Sequence, residues 1–266
     1  MDRNSLYENM TMPDVNFPIR MFRCNYKKFG QVFSNHWHEQ IELLYFLKGN
    51  ASIQCNSNVF HVRPKDLVVI NSNDLHYGES LSPELSYYVI IIDISLLHSS
   101  SMDTIETKYI TPITQNMILF NNKITMDQSL SDCIKHMIHE YENKETGYEL
   151  AIKSYIYRLL VLLLRNQVSR VLTVDEYNKR VKNLEKFKKV LKHMNENFME
   201  NIKLCELSKM MNVSEAHFCR TFKALTGKTL SDYINQVRIS RAEHLLVHSD
   251  MNVSEVAMNT GFSDIN

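Results

Sequence analysis

The sequence predicts an α+β chain made of two different parts, a β-barrel or sandwich followed by an all-helical domain. Residues 17–98 hold short segments rich in β-branched and aromatic residues, separated by turn residues. From about residue 126, apolar residues recur at helical spacing instead. Residues 202–228 then read as two short helices joined by a tight turn, and this pattern returns near the end of the chain.

The predicted strands are regularly spaced, as in a barrel or sandwich. They are the segments IELLYFL, ASIQC, VFHV, DLVVI and YYVIIIDI. The polar segment 99–124 carries no clear prediction. We therefore expect one β-rich domain over residues 1–168, including the helices at its end.

The most apolar predicted helix covers residues 148–168. Its stripe is wide, and consists of Ile152, Tyr155, Ile156, Leu159, Leu160, Leu163 and Leu164. Such a surplus favours a helix or subunit interface, although packing under its own barrel fits the pattern equally well. The polar residues 169–182 are predicted to be a linker, and residues 183–266 a second domain.

The first helix-turn-helix pattern is defined by its turn and cap. Asn212 stands where the chain must turn, and Asn tolerates the left-handed conformation. Ser214 is a good N-cap, with Val213 and Phe218 placed as a hydrophobic staple. This predicts a recognition helix over 214–225 whose outer face carries small residues and cations, namely Ala216, Cys219, Arg220 and Lys223.

A second unit appears when the sequence is shifted by 49 residues. Asn212 then aligns with Gly261, and Ser214 aligns with Ser263. The predicted helix 229–248 joins the two units and spans about 25–30 Å, close to the roughly 34 Å of one DNA turn. Two recognition helices on such a spacer would fit successive major grooves.

Charge and cysteine content restrict the location and partners of the protein. The 266 residues carry no formal net charge, but residues 166–266 hold 15 Lys and Arg against 12 Asp and Glu. That modest basic excess suits nucleic-acid binding. The five cysteines form no CxxC motif, the N-terminus has no signal-peptide core, and no apolar run reaches about 20 residues. We expect a cytoplasmic protein without a membrane partner.

Polar residues in the β-rich part form a candidate ligand site. The spacing is Gly30-x5-His36-x-His38-x3-Glu42-x6-Gly49, and His76 follows on a later strand. On a strand, positions 36, 38 and 42 share one face. Three imidazoles and a carboxylate would suit a divalent transition metal, although they could equally bind polar groups or an organic ligand directly. Tyr45 and Tyr77 are weaker candidates for the rim of this effector site.

These motifs carry two family resemblances. The Gly30–Gly49 spacing matches the first cupin motif, while the second motif is eroded, with His76 kept and Lys65, Asn71, Asn73 and Ser80 replacing the usual residues. The segments LSKMMNVSEAHFCRTFKALTGKTLSDYINQVRISRAEHLL and VSEVAMNTGFSDIN resemble the double helix-turn-helix domain of AraC/XylS-type bacterial transcription regulators. Nearly the whole chain is similar to that family in order: cupin-like barrel, helical pair, helix-turn-helix domain.

The resemblance implies a ligand-responsive, sequence-specific DNA-binding regulator that is not an enzyme. Its barrel would bind a small effector, and helix 148–168 would form a homodimer. By position, Ala216, Cys219 and Arg220 match base-facing residues of the family. The full DNA-binding set implied is Ser214, Ala216, His217, Cys219, Arg220, Lys223, Lys228 and Ile265.

Two other functions stay open at this point. The first is a metal-dependent cupin enzyme, for which the His and Glu cluster is the motive. The second follows from the end of the sequence at Asn266, four residues into the second recognition helix. Of the outward-facing residues of the first helix, only Ala216 then has a counterpart, Ile265, and those of Cys219, Arg220 and Lys223 are missing. An incomplete second unit would give weak, salt-sensitive DNA binding, or a chain that dimerises and interferes with an intact partner.

Overall fold

The computed structural model describes residues 6–98, 103–125, 127–226 and 228–262, and the chain divides into two compact units. The first unit, Asn9–Tyr177, is rich in β-structure. The second starts at Asn178, includes the described residues before Asn9, and is helical. The predicted change from strands to helices is therefore confirmed.

The first unit is built mainly from two antiparallel sheets. The five-stranded sheet has the order β1-β8-β3-β6-β10, and the four-stranded sheet has the order β2-β7-β4-β5; β9 and β11 form a separate pair. The strands are β1 (Ile19–Tyr26), β2 (Gly30–His36), β3 (Ile41–Lys48), β4 (Ala51–Cys55), β5 (Asn58–Val62), β6 (Leu67–Ile70), β7 (His76–Ser80), β8 (Leu85–Ile92), β9 (Ile118–Phe120), β10 (Lys123–Ile124) and β11 (Val168–Val171).

Strand β3 separates two hydrophobic cores. Leu44 and Phe46 belong to the core that also contains Ile53 of the four-stranded sheet. Leu43 and Tyr45 belong to the other core, which contains the helices of this unit. Because successive strand residues point to opposite faces, one strand contributes to both cores.

The helices of the first unit cover one face of the five-stranded sheet. They follow a 3₁₀ turn at Ile94–Leu97 and a π-helical turn at Glu106–Ile110, and are α1 (Thr111–Thr114), α2 (Gln128–Asn143) and α3 (Tyr148–Asn166). Leu159, Leu160 and Leu163 of α3 are buried in this unit's own core. The expectation that these leucines are surplus to the domain is therefore wrong, because α2 and the sheet already cover them.

The segment 169–182, expected to be a linker, contains regular structure. Strand β11 pairs with β9, and helix α4 (Val174–Glu196) begins within the segment. Thr173 and Glu176 explain the helix start, because the Thr173 backbone N–H donates to the Glu176 carboxylate and the Glu176 N–H donates to the Thr173 hydroxyl. The division between the two units falls inside α4, after Tyr177.

Within its described residues, the second unit continues with four further helices, two of which lie close to the predicted bounds 214–225 and 229–248. They are α5 (Leu204–Met211), α6 (Glu215–Thr226), α7 (Leu230–His248) and α8 (Val253–Asn259). An aromatic cluster joins three of the helices, since the Phe222 ring of α6 lies 6.0 Å from Phe187 of α4 and 5.5 Å from Tyr233 of α7. This cluster holds α6 in place from its inner side.

Candidate effector site and nucleic-acid interface

The four residues singled out in the barrel do converge. His36 ends β2, Glu42 lies in β3 and His76 begins β7, while His38 lies in the connection between β2 and β3. Each of the four offers one ligand atom, and these atoms all lie within 4.8 Å of one another. The antiparallel pairing of His36 with His76 brings the two ends of the cluster together.

The reason given for this convergence was only partly right. Strand β2 ends at His36, so His38 does not share a strand face with Glu42. The chain instead reverses between β2 and β3, and the His38 carbonyl accepts a hydrogen bond from the Asn73 backbone N–H at 2.8 Å. A turn, rather than strand alternation, therefore positions this histidine.

All three imidazoles are oriented by backbone carbonyls. Nδ1 of His36 lies 2.8 Å from the Ser34 carbonyl oxygen, and Nδ1 of His38 lies 3.1 Å from that of Gln40. Nδ1 of His76 lies 2.9 Å from the carbonyl oxygen of Asp74. Since a carbonyl can only accept, each Nδ1 carries a proton, and Nε2 is the atom through which each ring would bind a metal.

Glu42 joins two of these rings at a single oxygen. Its Oε2 lies 2.8 Å from Nε2 of His38 and 3.1 Å from Nε2 of His76. The second contact is not aligned as a hydrogen bond, and Nε2 of His76 is buried without a hydrogen-bond partner among the described residues. A proton on Nε2 of His38 would donate to this carboxylate oxygen, and a bound cation could take the place of that proton.

Burial and mutual contacts shift the ionisation of the cluster. Burial lowers the pKa of His36 to about 3, and the neighbouring His76 adds to this effect. Burial alone would raise the pKa of Glu42, but the hydrogen bond with His38 and the close imidazole of His76 outweigh it and lower that pKa. Burial also opposes the charged form of His76, yet Glu42 raises the pKa of His76. The cluster thus combines an ionised carboxylate with nitrogen donors, a set that suits divalent transition metals.

Phe33 forms an aromatic wall beside the cluster, which the sequence reading missed. Its ring centroid lies 5.9 Å from that of His36 and 5.8 Å from that of His76. The ring occupies the space above Gly78, where a Cβ atom would lie only 2.4 Å from Cε1 of Phe33. The signal available in the sequence was a glycine within an otherwise substituted strand, which often marks a close approach of another group.

The two tyrosines expected at the rim point elsewhere. Tyr45 is 2% exposed on the opposite side of β3 from the Leu44 and Phe46 core, and its hydroxyl lies 2.6 Å from that of Ser131 in α2. Tyr77 lies between the buried His76 and Gly78 and therefore points to the other face of β7, where its hydroxyl donates to Glu79. Both predictions were wrong for the same reason: each tyrosine is one residue out of phase with the inward positions of its strand.

The turn of the first helix-turn-helix unit has the predicted geometry. Asn212 adopts the left-handed conformation, with φ 58° and ψ 49°. The Ser214 hydroxyl accepts from the His217 backbone N–H at 3.3 Å, which caps α6. In the second helix-turn-helix pattern, Gly261 has φ 80°, and a capping box between Asn252 and Glu255 starts α8.

Helix α6 presents most of the predicted DNA-binding residues to solvent. Phe218 and Phe222 are buried, whereas the opposite face exposes Ala216, His217, Cys219, Arg220 and Lys223. Lys228 is half-buried and donates to Gln236; burial lowers its pKa. Ile265 lies outside the described residues. None of the described helices combines the length and apolar character required to cross a membrane.

Comparison with known proteins agrees with this architecture. Residues 26–160 match the AraC-like ligand-binding domain family, and residues 207–266 match a helix-turn-helix domain family. The uncharacterised HTH-type transcriptional regulator YdeC of Bacillus subtilis is 26% identical over 233 residues, which cover 86% of this chain and 78% of the relative. The HTH-type transcriptional activator RhaR of Mannheimia succiniciproducens is 24% identical over 250 residues, covering 94% and 85%. Fatty-acid-bound ToxT of Vibrio cholerae is a solved structure with 16% identity and a TM-score of 0.46, over 93% of this chain and 87% of its own.

Proposed function

The chain belongs to the family of transcriptional regulators that carry an AraC-like ligand-binding domain, and we propose that its barrel senses a small effector at a divalent metal held by His36, His38, Glu42 and His76. The helix-turn-helix unit around α6 would then read promoter DNA. One observation supports the metal most directly: the three Nδ1 atoms donate to carbonyls, which leaves Nε2 of each ring, together with a carboxylate oxygen of Glu42, as a ligand set for a cation. When bound, the metal would supply an open coordination position for a polar group of the effector.

Elemental analysis tests the metal directly. Protein purified without metal-chelating resin, or reconstituted with one divalent metal at a time, should retain about one ion per chain. His38→Ala and His76→Ala should each lose it, because each removes a ligand from a four-residue set. His136→Ala in α2, which changes an exposed histidine outside the cluster, is the matched control. Equal metal content in all four proteins, or none in any, would contradict the proposal.

A DNA-binding regulator would work in the cytoplasm, where its cysteines stay reduced. The five cysteines are all free in the structure. We propose regulation rather than catalysis, because the helix-turn-helix half of the chain has no use in a cupin enzyme. Metal-dependent turnover of a small substrate by the intact protein, unaffected by promoter DNA, would favour the enzyme instead.

We further propose that the protein is a homodimer through an outward stripe of α3, distinct from its buried leucines. Leu150 is 76% exposed and Tyr157 is 37% exposed. With Ser154, Val161 and Leu164 they follow the alternating four- and three-residue spacing of a coiled-coil seam. Leu150, Ser154 and Tyr157 of this stripe are exposed, while Leu164 at its end is partly buried against the core that holds Leu160 and Leu163. Like apolar stripes on two copies would pack against each other.

Two double variants distinguish this stripe from the buried face. Leu150→Glu with Tyr157→Glu should give a folded monomer, because both side chains lie at the surface. Leu160→Glu with Leu163→Glu should instead unfold the first unit, since it buries charges in a packed core. Light scattering and circular dichroism together report both results. A stable dimer after the first pair of changes would place the interface elsewhere.

A further inference from the structure

The positive charge of the helical unit is concentrated on α4 rather than on the helix-turn-helix units. Residues 178–196 contain seven Lys and Arg against two Asp and Glu. Residues 197–266 contain seven against eight, and so carry no basic excess at all. If phosphate binding depended on the helix-turn-helix units alone, the protein would approach DNA with almost no net attraction.

The cations of α4 are arranged as one stripe. Lys179, Lys182, Lys186 and Lys189 recur at i, i+3, i+7 and i+10, which places them along one flank of the helix. The buried face of the same helix is formed by Phe187, Val190, Leu191 and Met194. The lysine stripe therefore runs beside the packed face and stays accessible: Lys179, Lys182 and Lys189 are exposed, and Lys186 is partly buried.

One contact places this stripe next to the helix-turn-helix turn. Nζ of Lys186 donates to the backbone carbonyl of Met211 at 3.4 Å. Met211 ends α5 and directly precedes the turn residue Asn212. Phe187, the next residue of α4, packs against Phe222 of α6. The stripe is thus part of the same packed body as the recognition helix.

Helix stability does not account for these lysines. Like charges three or four residues apart destabilise a helix by about 0.2–0.5 kcal/mol per pair. Ion pairs near the ends of α4 join Arg170 to Glu176 and Lys192 to Glu196. Among the described residues, Lys179, Lys182 and Lys189 take part in none of the ion pairs. Three exposed lysines on one flank that take part in none of the ion pairs of the described residues are available to an external polyanion.

We propose that the lysine stripe of α4 is a further DNA contact, which binds backbone phosphates flanking the site read by α6. This inference rests on the DNA binding proposed above, and adds a sequence-independent element to it. The lysines are flexible point charges, which suit phosphates rather than base edges. DNA is favoured over an anionic membrane because the stripe adjoins the helix-turn-helix turn.

Salt-dependent DNA titration tests the stripe. The variant Lys179→Gln, Lys182→Gln, Lys189→Gln leaves Lys186 and its hydrogen bond intact, and Gln keeps a good helix propensity. Three lost phosphate contacts should lower the salt slope by about 2.7. Between 50 and 200 mM salt, the wild-type affinity should then fall about 40-fold more than that of the variant. The ratio of affinities for target and scrambled DNA should not change.

Two matched proteins complete the experiment. Lys27→Gln, Lys28→Gln, Lys108→Gln removes the same charge from exposed positions of the other unit and should keep the wild-type slope. Changing the three stripe lysines to Arg should also keep the wild-type salt slope, because Arg retains the positive charge. An unchanged slope in the Gln variant, with Arg220-dependent specificity retained, would overturn this inference alone. Loss of binding to phosphatidylserine vesicles with an unchanged DNA slope would overturn it in favour of a membrane. No DNA binding by the wild type at low salt would overturn both this inference and the proposed function.

Discussion

The barrel cluster and the outer face of α6 both present polar groups, but the cluster is buried and the face of α6 is exposed. In the cluster, His38, Glu42 and His76 are 1%, 6% and 0% exposed. On α6, Arg220 and Lys223 extend from a surface backed by Phe218 and Phe222. The cluster depends on contacts among its own members, whereas each α6 side chain depends mainly on the rigidity of its helix.

This difference predicts how substitutions will behave. A buried polar group that loses its partner leaves the partner uncompensated, so stability and binding change together. An exposed side chain on a supported helix can be removed with little change in stability, so only binding changes.

The largest effect is expected for Glu42→Gln. Removing the charge leaves the imidazoles of His38 and His76 without their carboxylate, and breaking a buried ionic pair costs about 3–5 kcal/mol. Urea unfolding should show this loss, and metal content should fall in parallel. Glu145→Gln, an exposed change of the same kind, should stay within about 0.5 kcal/mol of wild type. Equal stability of the two variants would show that the cluster is not interdependent.

Gly78→Ala tests whether the buried cluster depends on the packing of Phe33. The new Cβ would lie 2.4 Å from Cε1 of Phe33, so the ring must leave its position against His36 and His76. Overpacking of this kind costs about 1–3 kcal/mol. Thermal unfolding and metal affinity should both report the change. Adding Phe33→Leu should recover stability but not the aromatic wall; no recovery would mean that the contact with Phe33 is not the cause.

Arg220→Ala should affect DNA recognition without affecting the fold. A guanidinium that grips guanine contributes about 1–3 kcal/mol of discrimination, so the preference for target over scrambled DNA should fall by about 5- to 150-fold. Lys223→Ala should instead weaken binding to both DNAs alike and lower the salt slope by about 1. Competition titrations separate the two outcomes. If Arg220→Ala weakened both DNAs equally, Arg220 would be a phosphate contact.

The smallest effect is expected at the helix-turn-helix turn. Asn212 has φ 58°, and an alanine in that conformation costs about 1–2 kcal/mol. Asn212→Ala should therefore lower the unfolding midpoint, while Asn212→Gly should leave it nearly unchanged. The second helix-turn-helix pattern already has a glycine, Gly261, at the equivalent position. Identical midpoints for the two variants would show that the turn tolerates strain.

Several features of this protein were determined by its sequence alone. The change from strands to helices, the turn at Asn212 and the buried and exposed faces of α6 follow from local periodicity and backbone preference, which act over a few residues. The membership of the barrel cluster also followed from spacing, since the motif around His36, His38 and Glu42 is specific. The start of α4 is also specified locally, because Thr173 and Glu176 form a cap. The polar composition of this segment nevertheless led to the prediction of a linker.

Other features were decided only by the tertiary structure. Which face of a strand points inward depends on sheet pairing, and for this reason Tyr45 and Tyr77 were misplaced by one residue. Whether the α3 leucines are surplus depends on what covers them, and Leu159, Leu160 and Leu163 are buried against α2 and the sheet. The wall formed by Phe33 above Gly78 arises from residues far apart in sequence. Local patterns specify the elements, but burial is a property of pairs of surfaces, and only the folded chain determines which surfaces meet.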